Sequence, residues 1–322
     1  MTRRECSEGA APCGVVGRYA PSPTGVLHLG NLRTALVAWL AARLSGGRFV
    51  LRVEDIDGPR TVPGCESRQL ADLEWLGLTW DGPVVRQSER GEIYRELFEQ
   101  LRREGICYAC ICSRRDLEQA GSAPHGPDGP VYPGTCRHRS PDEIALHPAG
   151  VAWRLVMPPG LHTFTDEICG RCEVDGADLG DFVVLRRDGL WAYQWACAVD
   201  DALQGVTQVV RGADLLHSTF RQSAIQRALG LEVPREWWHV PLMNGAGGMR
   251  LAKRDGADGV ERRRAQGRTA AQVVGELAAS LGLVPAGAQL TAGELLRSVD
   301  RPGLIAACRH GMEVGSGGSD LG

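Results

Sequence analysis

Arg18-Tyr19-Ala20-Pro21-Ser22-Pro23-Thr24-Gly25-Val26-Leu27-His28-Leu29-Gly30-Asn31-Leu32-Arg33 is the stretch that decides the fold. Val15 to Tyr19 reads as a short strand leading into it. Pro21 and Pro23 then fix φ and discourage helix before them, and Gly25 opens a turn. From Leu29 the apolar residues Leu32, Leu36, Trp39 and Leu40 fall on one helical face. A strand that runs through a tight loop into a helix presents backbone N–H groups and the positive end of a helix dipole, a setting suited to phosphate. His28 stands at the junction, where an imidazole reaches the same anion; taken alone, it equally fits a core histidine beside an ordinary turn.

Outward from this stretch, Arg48 to Asp55 alternates Phe49, Leu51 and Val53 against Val50, Arg52 and Glu54, the pattern of a second strand. Strand, helix and strand imply a parallel unit with a right-handed crossover. Ligands in such sheets bind beyond the carboxyl ends of the strands, where Glu54 and Asp55 fall beside the His28 loop. Helices are expected at 66–77 and 89–104, with Trp75, Leu76, Leu78 and Trp80 as core. Strands follow at 151–156, 181–185, 208–211 and 237–242, and helices at 193–203 and 218–229. Arg211 closes a strand and so repeats the placement of Glu54. A glycine-rich loop with cations, Gly245 to Gly256, can cover a polyphosphate. Amphipathic helices are expected at 269–281 and 291–299, the second opened by the capping box Thr291-x-x-Glu294. Gly311 to Gly322 reads as disordered.

The chain has 322 residues, 43% of them hydrophobic, with 42 glycines and 18 prolines, which fits a loop-rich enzyme of two or three modules. A net charge of −3 leaves any RNA contact to local basic clusters. Candidates for phosphate contact are Arg114-Arg115, Arg137-His138-Arg139 and Arg262-Arg263-Arg264. No apolar run approaches a membrane span, and Met1 to Gly14 lacks the apolar core of a signal peptide, so a cytoplasmic protein is expected. Eleven cysteines without export point to thiols or a metal in a reducing compartment. Cys110-x-Cys112, followed after a loop by Tyr132-x-x-x-Cys136, could close a tetrahedral zinc site from thiolates and a phenolate. Cys107, His125 or His138 could stand in for Tyr132. Cys169-x-x-Cys172 has no second pair nearby and reads as structural or incidental.

Taken together, the sequence resembles the class I aminoacyl-tRNA synthetases in their glutamyl branch. The resemblance rests on Arg18 to Gly30, with His28-Leu29-Gly30-Asn31 at the position of the His-Ile-Gly-His motif. It is carried further by Arg52-Val53-Glu54-Asp55-Ile56-Asp57, Trp75-Leu76-Gly77-Leu78, Gln87-Ser88 and Val209-Val210-Arg211-Gly212. Arg250-Leu251-Ala252-Lys253-Arg254 falls where the Lys-Met-Ser-Lys-Ser loop would be. Six ordered matches over residues 18 to 254 are far more specific than one motif. Two departures stand out: Asn31 replaces the second histidine, and Arg250 and Ala252 replace a lysine and a serine, leaving Lys253 as the expected cation. Only 69 residues follow Lys253, too few for an anticodon-binding region. That is similar to the truncated paralogues of the branch, which activate glutamate without tRNA and attach it to queuosine in the anticodon of tRNA(Asp).

The resemblance implies a Rossmann-like parallel α/β sheet with an inserted zinc-bearing subdomain and a short helical C-terminal domain. Boundaries are expected at 1–14 (flexible extension), 15–105 and 186–245 (catalytic halves), 106–185 (insert), 246–311 (lysine loop and helices) and 312–322 (disordered tail). It also implies that His28, Gly30, Asn31 and Lys253 hold ATP with Mg²⁺, His28, Asn31 and Lys253 acting in catalysis. Arg18 and Arg211 would pair the two carboxylates of L-glutamate and Glu54 its ammonium, with Tyr193, Ala20 and Ser22 completing the pocket. Cys110, Cys112, Tyr132 and Cys136 would hold one structural zinc ion. A monomer is expected. A shortened synthetase charging a tRNA 3′ end and a non-catalytic RNA-binding paralogue are the alternatives to this reading.

Overall fold

The computed structural model describes residues 14–113, 116, 125–126, 129–145, 150–243 and 259–316. Its strands are β1 (Val16–Tyr19), β2 (Arg48–Val53), β3 (Val85–Arg86), β4 (Cys107–Cys110), β5 (His125–Gly126), β6 (Gly129–Pro130), β7 (Ala152–Leu155), β8 (Leu161–Asp166), β9 (Gly170–Asp175), β10 (Phe182–Leu185), β11 (Gln208–Gly212) and β12 (Glu236–Val240). One sheet has the order β3-β2-β1-β11-β12-β8-β9. Every pairing in it is parallel except the β8–β9 hairpin. The expected crossover unit is present, with the helix α1 (Leu29–Leu44) joining β1 to β2. Helices α2 (Cys65–Trp75) and α3 (Gly91–Arg103) follow close to their expected limits.

The sheet is only part of what covers α1. Leu29, Leu32, Arg33 and the run Ala35 to Ala42 are all buried. The sheet covers one side of the helix, and the helices Ala270–Ala279, Ala292–Ser298 and Arg301–Ser316 pack on it as well. A helix apolar nearly all round belongs at the centre of a molecule, and the C-terminal segment is what makes α1 central. Leu76 and Leu78 are buried in this core, with Trp75 and Trp80 packed against it.

Two sequence readings change. The expected disorder from Gly311 gives way to helix as far as Ser316; residues 317–322 lie outside the described residues. Leu304 and Cys308 are fully buried, Met312 packs on the same core, and Gly311 abuts Pro241. Burial there outweighs a glycine-rich composition. The stretch 106–185 contributes to three sheets, one of them the two-stranded pair β5–β6. β4, β7 and β10 form a three-stranded antiparallel sheet, whereas β8 and β9 extend the main sheet beside β12. The hairpin was missed because its buried and exposed positions alternate without a strongly apolar face. Among the described residues, no helix is long and apolar enough to cross a membrane.

Gly17 sits in β1 where α1 crosses closest. A Cβ there would lie 2.8 Å from Ala42 Cβ and 3.1 Å from Gln208 Oε1. Gly17→Ala should lower stability by about 1–3 kcal/mol through overpacking, measured by urea denaturation. Gly91→Ala, where a Cβ meets nothing within 4 Å, should stay within about 0.5 kcal/mol of the parent.

Candidate active site

His28 precedes the first residue of α1 and caps it. Its Nδ1 accepts from the backbone N–H of Asn31 at 3.2 Å, and Asn31 Oδ1 accepts from the His28 N–H at 3.3 Å. This is a capping box with histidine in the place of the usual serine or threonine. An accepting Nδ1 puts the proton of the neutral ring on Nε2. Asn31, which stands where a second histidine was expected, thus spends its side-chain oxygen on the helix cap. Gln69 of α2 pins the preceding loop, donating from Nε2 to the carbonyls of Ser22 (3.1 Å) and Gly25 (2.7 Å).

A cavity of about 900 Å³ opens at the carboxyl ends of β1, β2 and β11. Arg18, Ala20, Ser22, His28, Gly30, Asn31, Glu54, Tyr193 and Arg211 all line it. Nine of the ten residues expected to meet ATP and glutamate therefore face one space. The tenth, Lys253, lies outside the described residues, as do Arg250, Ala252, Arg114 and Arg115. The residues on either side of that loop, Met243 and Gly259, line the same cavity, and Gly259 forms a backbone bridge with His28.

Below the cavity the charges are nearly all paired. Arg52 is fully buried and donates to Asp201 Oδ1 at 2.7 Å, Gln204 Oε1 at 2.9 Å and Glu54 Oε1 at 3.2 Å. Arg18 reaches Asp201 through Nε at 3.4 Å and the Val210 carbonyl through a terminal nitrogen at 2.9 Å. Burial alone would raise the Asp201 pKa, but Arg52 and Arg18 hold it below the usual carboxylate range. Cys197 donates from Sγ to Glu54 Oε1 at 2.9 Å, and burial followed by the Glu54 charge keeps its thiol protonated. Tyr193 is likewise held as the phenol, chiefly by burial.

Arg211 differs. Among the described residues it has no carboxylate within ion-pair distance. Its Nε donates to His239 Nε2 at 3.0 Å and its terminal nitrogens to Gln222 Oε1 (2.7 Å) and Thr219 Oγ1 (2.6 Å). These partners are neutral, so the guanidinium is oriented and its charge is left unpaired at the cavity wall. Such a group suits an anionic ligand.

In the insert, the Sγ atoms of Cys110, Cys112 and Cys136 all lie within 4.8 Å of one another. Tyr132 Oη sits 3.4 Å from Cys110 Sγ and 3.7 Å from Cys112 Sγ. Three thiols and a phenol at such spacings fit a tetrahedral metal site with modest inward movement, since zinc–sulfur bonds are about 2.3 Å. The Cys136 N–H also donates to Tyr132 Oη at 2.9 Å. The Cys136 pKa is drawn down to about 7: burial opposes this, and hydrogen bonds led by that from Tyr132 outweigh it. Cys107 packs instead in the hydrophobic core, its thiol pushed up to about 12 by burial. His138 is exposed and outside the sulfur group, and the side chain of His125 lies outside the described residues. Cys169 lies in the β8–β9 turn and Cys172 in β9, both as free thiols.

The pattern-matching family model for the catalytic domain of class I tRNA synthetases (E and Q) covers residues 14–288. A glutamyl-Q tRNA(Asp) synthetase of Symbiobacterium thermophilum is 50% identical over 281 residues, covering 83% of this chain and 87% of that one. One from Nocardia farcinica is 51% identical over 279 residues, covering 86% and 88%. The chain belongs to the glutamyl-Q tRNA(Asp) synthetase family, within the class I tRNA synthetases. A crystal structure of a glutamate tRNA ligase from Elizabethkingia meningosepticum, in complex with its amino acid, superposes with a TM-score of 0.75 at 29% identity. The match covers 91% of this chain and 65% of that ligase, so this family member spans just under two thirds of the longer enzyme.

For this member of the family, sequence reasoning missed the supports of the cavity: Asp201 and Cys197 in the helix Tyr193–Leu203, Thr219 and Gln222 in the helix Ser218–Ala228, and His239 with Asp166. A faint signal existed for some. Asp200-Asp201 interrupts an otherwise apolar helix, and Thr219 and Gln222 are three apart on one face. Asn31→Ala should cost about 1 kcal/mol by orphaning the His28 N–H, whereas Asn31→Gln should retain the reciprocal cap. Thermal denaturation of both variants reads the difference.

Proposed function

We propose that the chain activates L-glutamate with ATP, without tRNA, and transfers it to queuosine in the anticodon of tRNA(Asp). The observation that carries this is the unpaired Arg211 guanidinium sharing one cavity with Arg18, Glu54 and the capped His28 helix. In this reading an α-carboxylate oxygen of glutamate attacks the α-phosphorus of ATP and pyrophosphate leaves. A hydroxyl of the acceptor then attacks the carbonyl of the adenylate, and AMP leaves. Arg211 and Arg18 receive the two carboxylates, Glu54 the ammonium, and Tyr193 with Ala20 and Ser22 completes the pocket. His28, Gly30, Asn31 and the N–H groups opening α1 hold the phosphates of ATP, which enters as its Mg²⁺ complex. Phosphoryl chemistry of this kind depends on positioning and charge stabilisation.

Lys253 is assigned to the charge developing on pyrophosphate. The two ends of its loop support this, because Met243 and Gly259 both border the cavity. Cys110, Cys112, Tyr132 and Cys136 would hold zinc, which when bound cross-links a part of the insert with little apolar core of its own. We place the reaction in the cytoplasm and treat the protein as a monomer with 15–105 and 186–245 as its catalytic halves.

Glutamate-dependent exchange of pyrophosphate into ATP should proceed in the absence of tRNA and fall about 100-fold or more in Lys253→Ala. Unchanged exchange in that variant would remove the lysine from the reaction. With labelled glutamate and tRNA(Asp), nuclease digestion should place the label on the queuosine nucleoside; label on the terminal adenosine would mean charging at the 3′ end. Elemental analysis should find about one zinc per chain, lost in Cys136→Ser together with a lower melting temperature.

A further inference from the structure

His239 and Asp166 lie behind Arg211 and outside the cavity lining, and they form an ordered chain. Asp166 is 1% exposed and carries four donors: the backbone N–H groups of Ile168 and Cys169 on Oδ1, each at 2.8 Å, and the His239 N–H (3.0 Å) and Nδ1 (2.7 Å) on Oδ2. A carboxylate so supplied only accepts, so His239 Nδ1 must carry the proton. The ring's Nε2 is left with a lone pair, and that lone pair receives the Arg211 Nε–H at 3.0 Å. We infer that Asp166 and His239 are positioning residues for substrate recognition: Asp166 fixes the tautomer of His239, and His239 fixes the guanidinium of Arg211 at the cavity wall. This rests on the reading of Arg211 as a ligand of glutamate carboxylate.

The arrangement orients a cation without neutralising it. A carboxylate in the place of His239 would pair with Arg211 directly and compete with the substrate. A neutral imidazole accepts one hydrogen bond and leaves the charge to the ligand. The same chain is sensitive to proton uptake. A second proton on His239 would set an Nε2–H against the Arg211 Nε–H, two donors and two cations together. The charged groups facing the ring are Asp166 from β8, Arg211 from β11 and Arg18 from β1. Thr219 reaches Nε2 at 3.2 Å from the helix Ser218–Ala228, and the Trp237 and Phe164 rings flank the imidazole. Burial, assisted by the two arginines and opposed by Asp166, holds His239 below its usual value and therefore neutral near pH 7.

Three variants separate positioning from bulk structure. Asp166→Asn can donate to Nδ1, which moves the ring proton to Nε2 and turns it against Arg211, the logic by which an aspartate-to-asparagine change inverts a histidine tautomer. His239→Phe keeps a ring and removes the acceptor. His239→Gln places an amide oxygen near the former Nε2 and restores it. In glutamate-dependent pyrophosphate exchange, KM for glutamate should rise about tenfold or more in Asp166→Asn and His239→Phe, with KM for ATP unchanged. His239→Gln should stay within about threefold of the parent. Because the pKa of His239 is lowered, the ring stays neutral through the ordinary histidine value of about 6.5, and KM for glutamate should climb in the parent only at pH below that value, and less in His239→Gln. Parental KM values in both Asp166→Asn and His239→Phe would overturn the inference, as would equal losses for glutamate and ATP in all three variants. If Asp166→Asn does not fold, the His239 pair decides alone. Arg211→Lys is the separate arm. An unchanged KM for glutamate there ends the reading of Arg211 as a ligand, whereas an impaired Arg211→Lys beside parental Asp166→Asn and His239→Phe ends only the positioning role.

Discussion

Buried guanidinium groups are the constraint around which this molecule is built. Arg18, Arg52 and Arg211 are each at most 4% exposed, and taking a charge out of water costs several kcal/mol unless something replaces the lost hydration. The three solve the problem differently. Arg52 is closed off by Asp201, Glu54 and Gln204 and acts as the keystone of the strand ends. Arg18 shares Asp201 and a carbonyl. Arg211 receives neutral acceptors and, among the described residues, no counter-ion. The gradient from full pairing to none runs toward the cavity, so the cost of burial is concentrated on the group that an anionic ligand would relieve. Folding alone gains nothing from leaving a cation in that state, which is why the arrangement speaks of binding.

Much of the frame was legible because local signals and tertiary needs agree. The proline-glycine turn before α1, the alternation of Phe49, Leu51 and Val53, and the Thr291 capping box each specify one conformation, and each is found. Arg211 and Glu54 could be placed because a charge at the end of a parallel strand has one place to go. The supports behind them could not. His239 reads as one polar residue in an aromatic strand, and Asp166 as a turn carboxylate seventy-three positions earlier. Only the pairing of β8 with β12 brings them together, and no periodicity in the sequence announces a parallel partner at that distance. The capping role of Asn31 was equally hidden, since a motif position suggests a ligand contact before it suggests a helix cap.

The C-terminal helices show the converse failure. Glycine and serine after Gly311 are a fair sign of a chain too poor in apolar surface to order itself. What the composition omits is the partner: α1 exposes apolar surface on the side away from the sheet, and Leu304, Cys308 and Met312 meet it. The cysteine site lies between the two cases. Its four residues could be picked from spacing and resemblance, while the exclusion of Cys107 required knowing that β4 turns that side chain into the hydrophobic core.

The pairing of β1 with β11 joins residues 191 positions apart, and this shapes how the chain is made. During synthesis β1, α1 and β2 are complete long before β11 leaves the ribosome, so one rim of β1 waits with its backbone groups unpaired. An idle strand rim is a template for the wrong neighbour, and long-range parallel pairing is slow to form. Assembly of the nascent polypeptide is therefore the stage at which this enzyme is most exposed to aggregation, and the centre of its sheet is the last part to close.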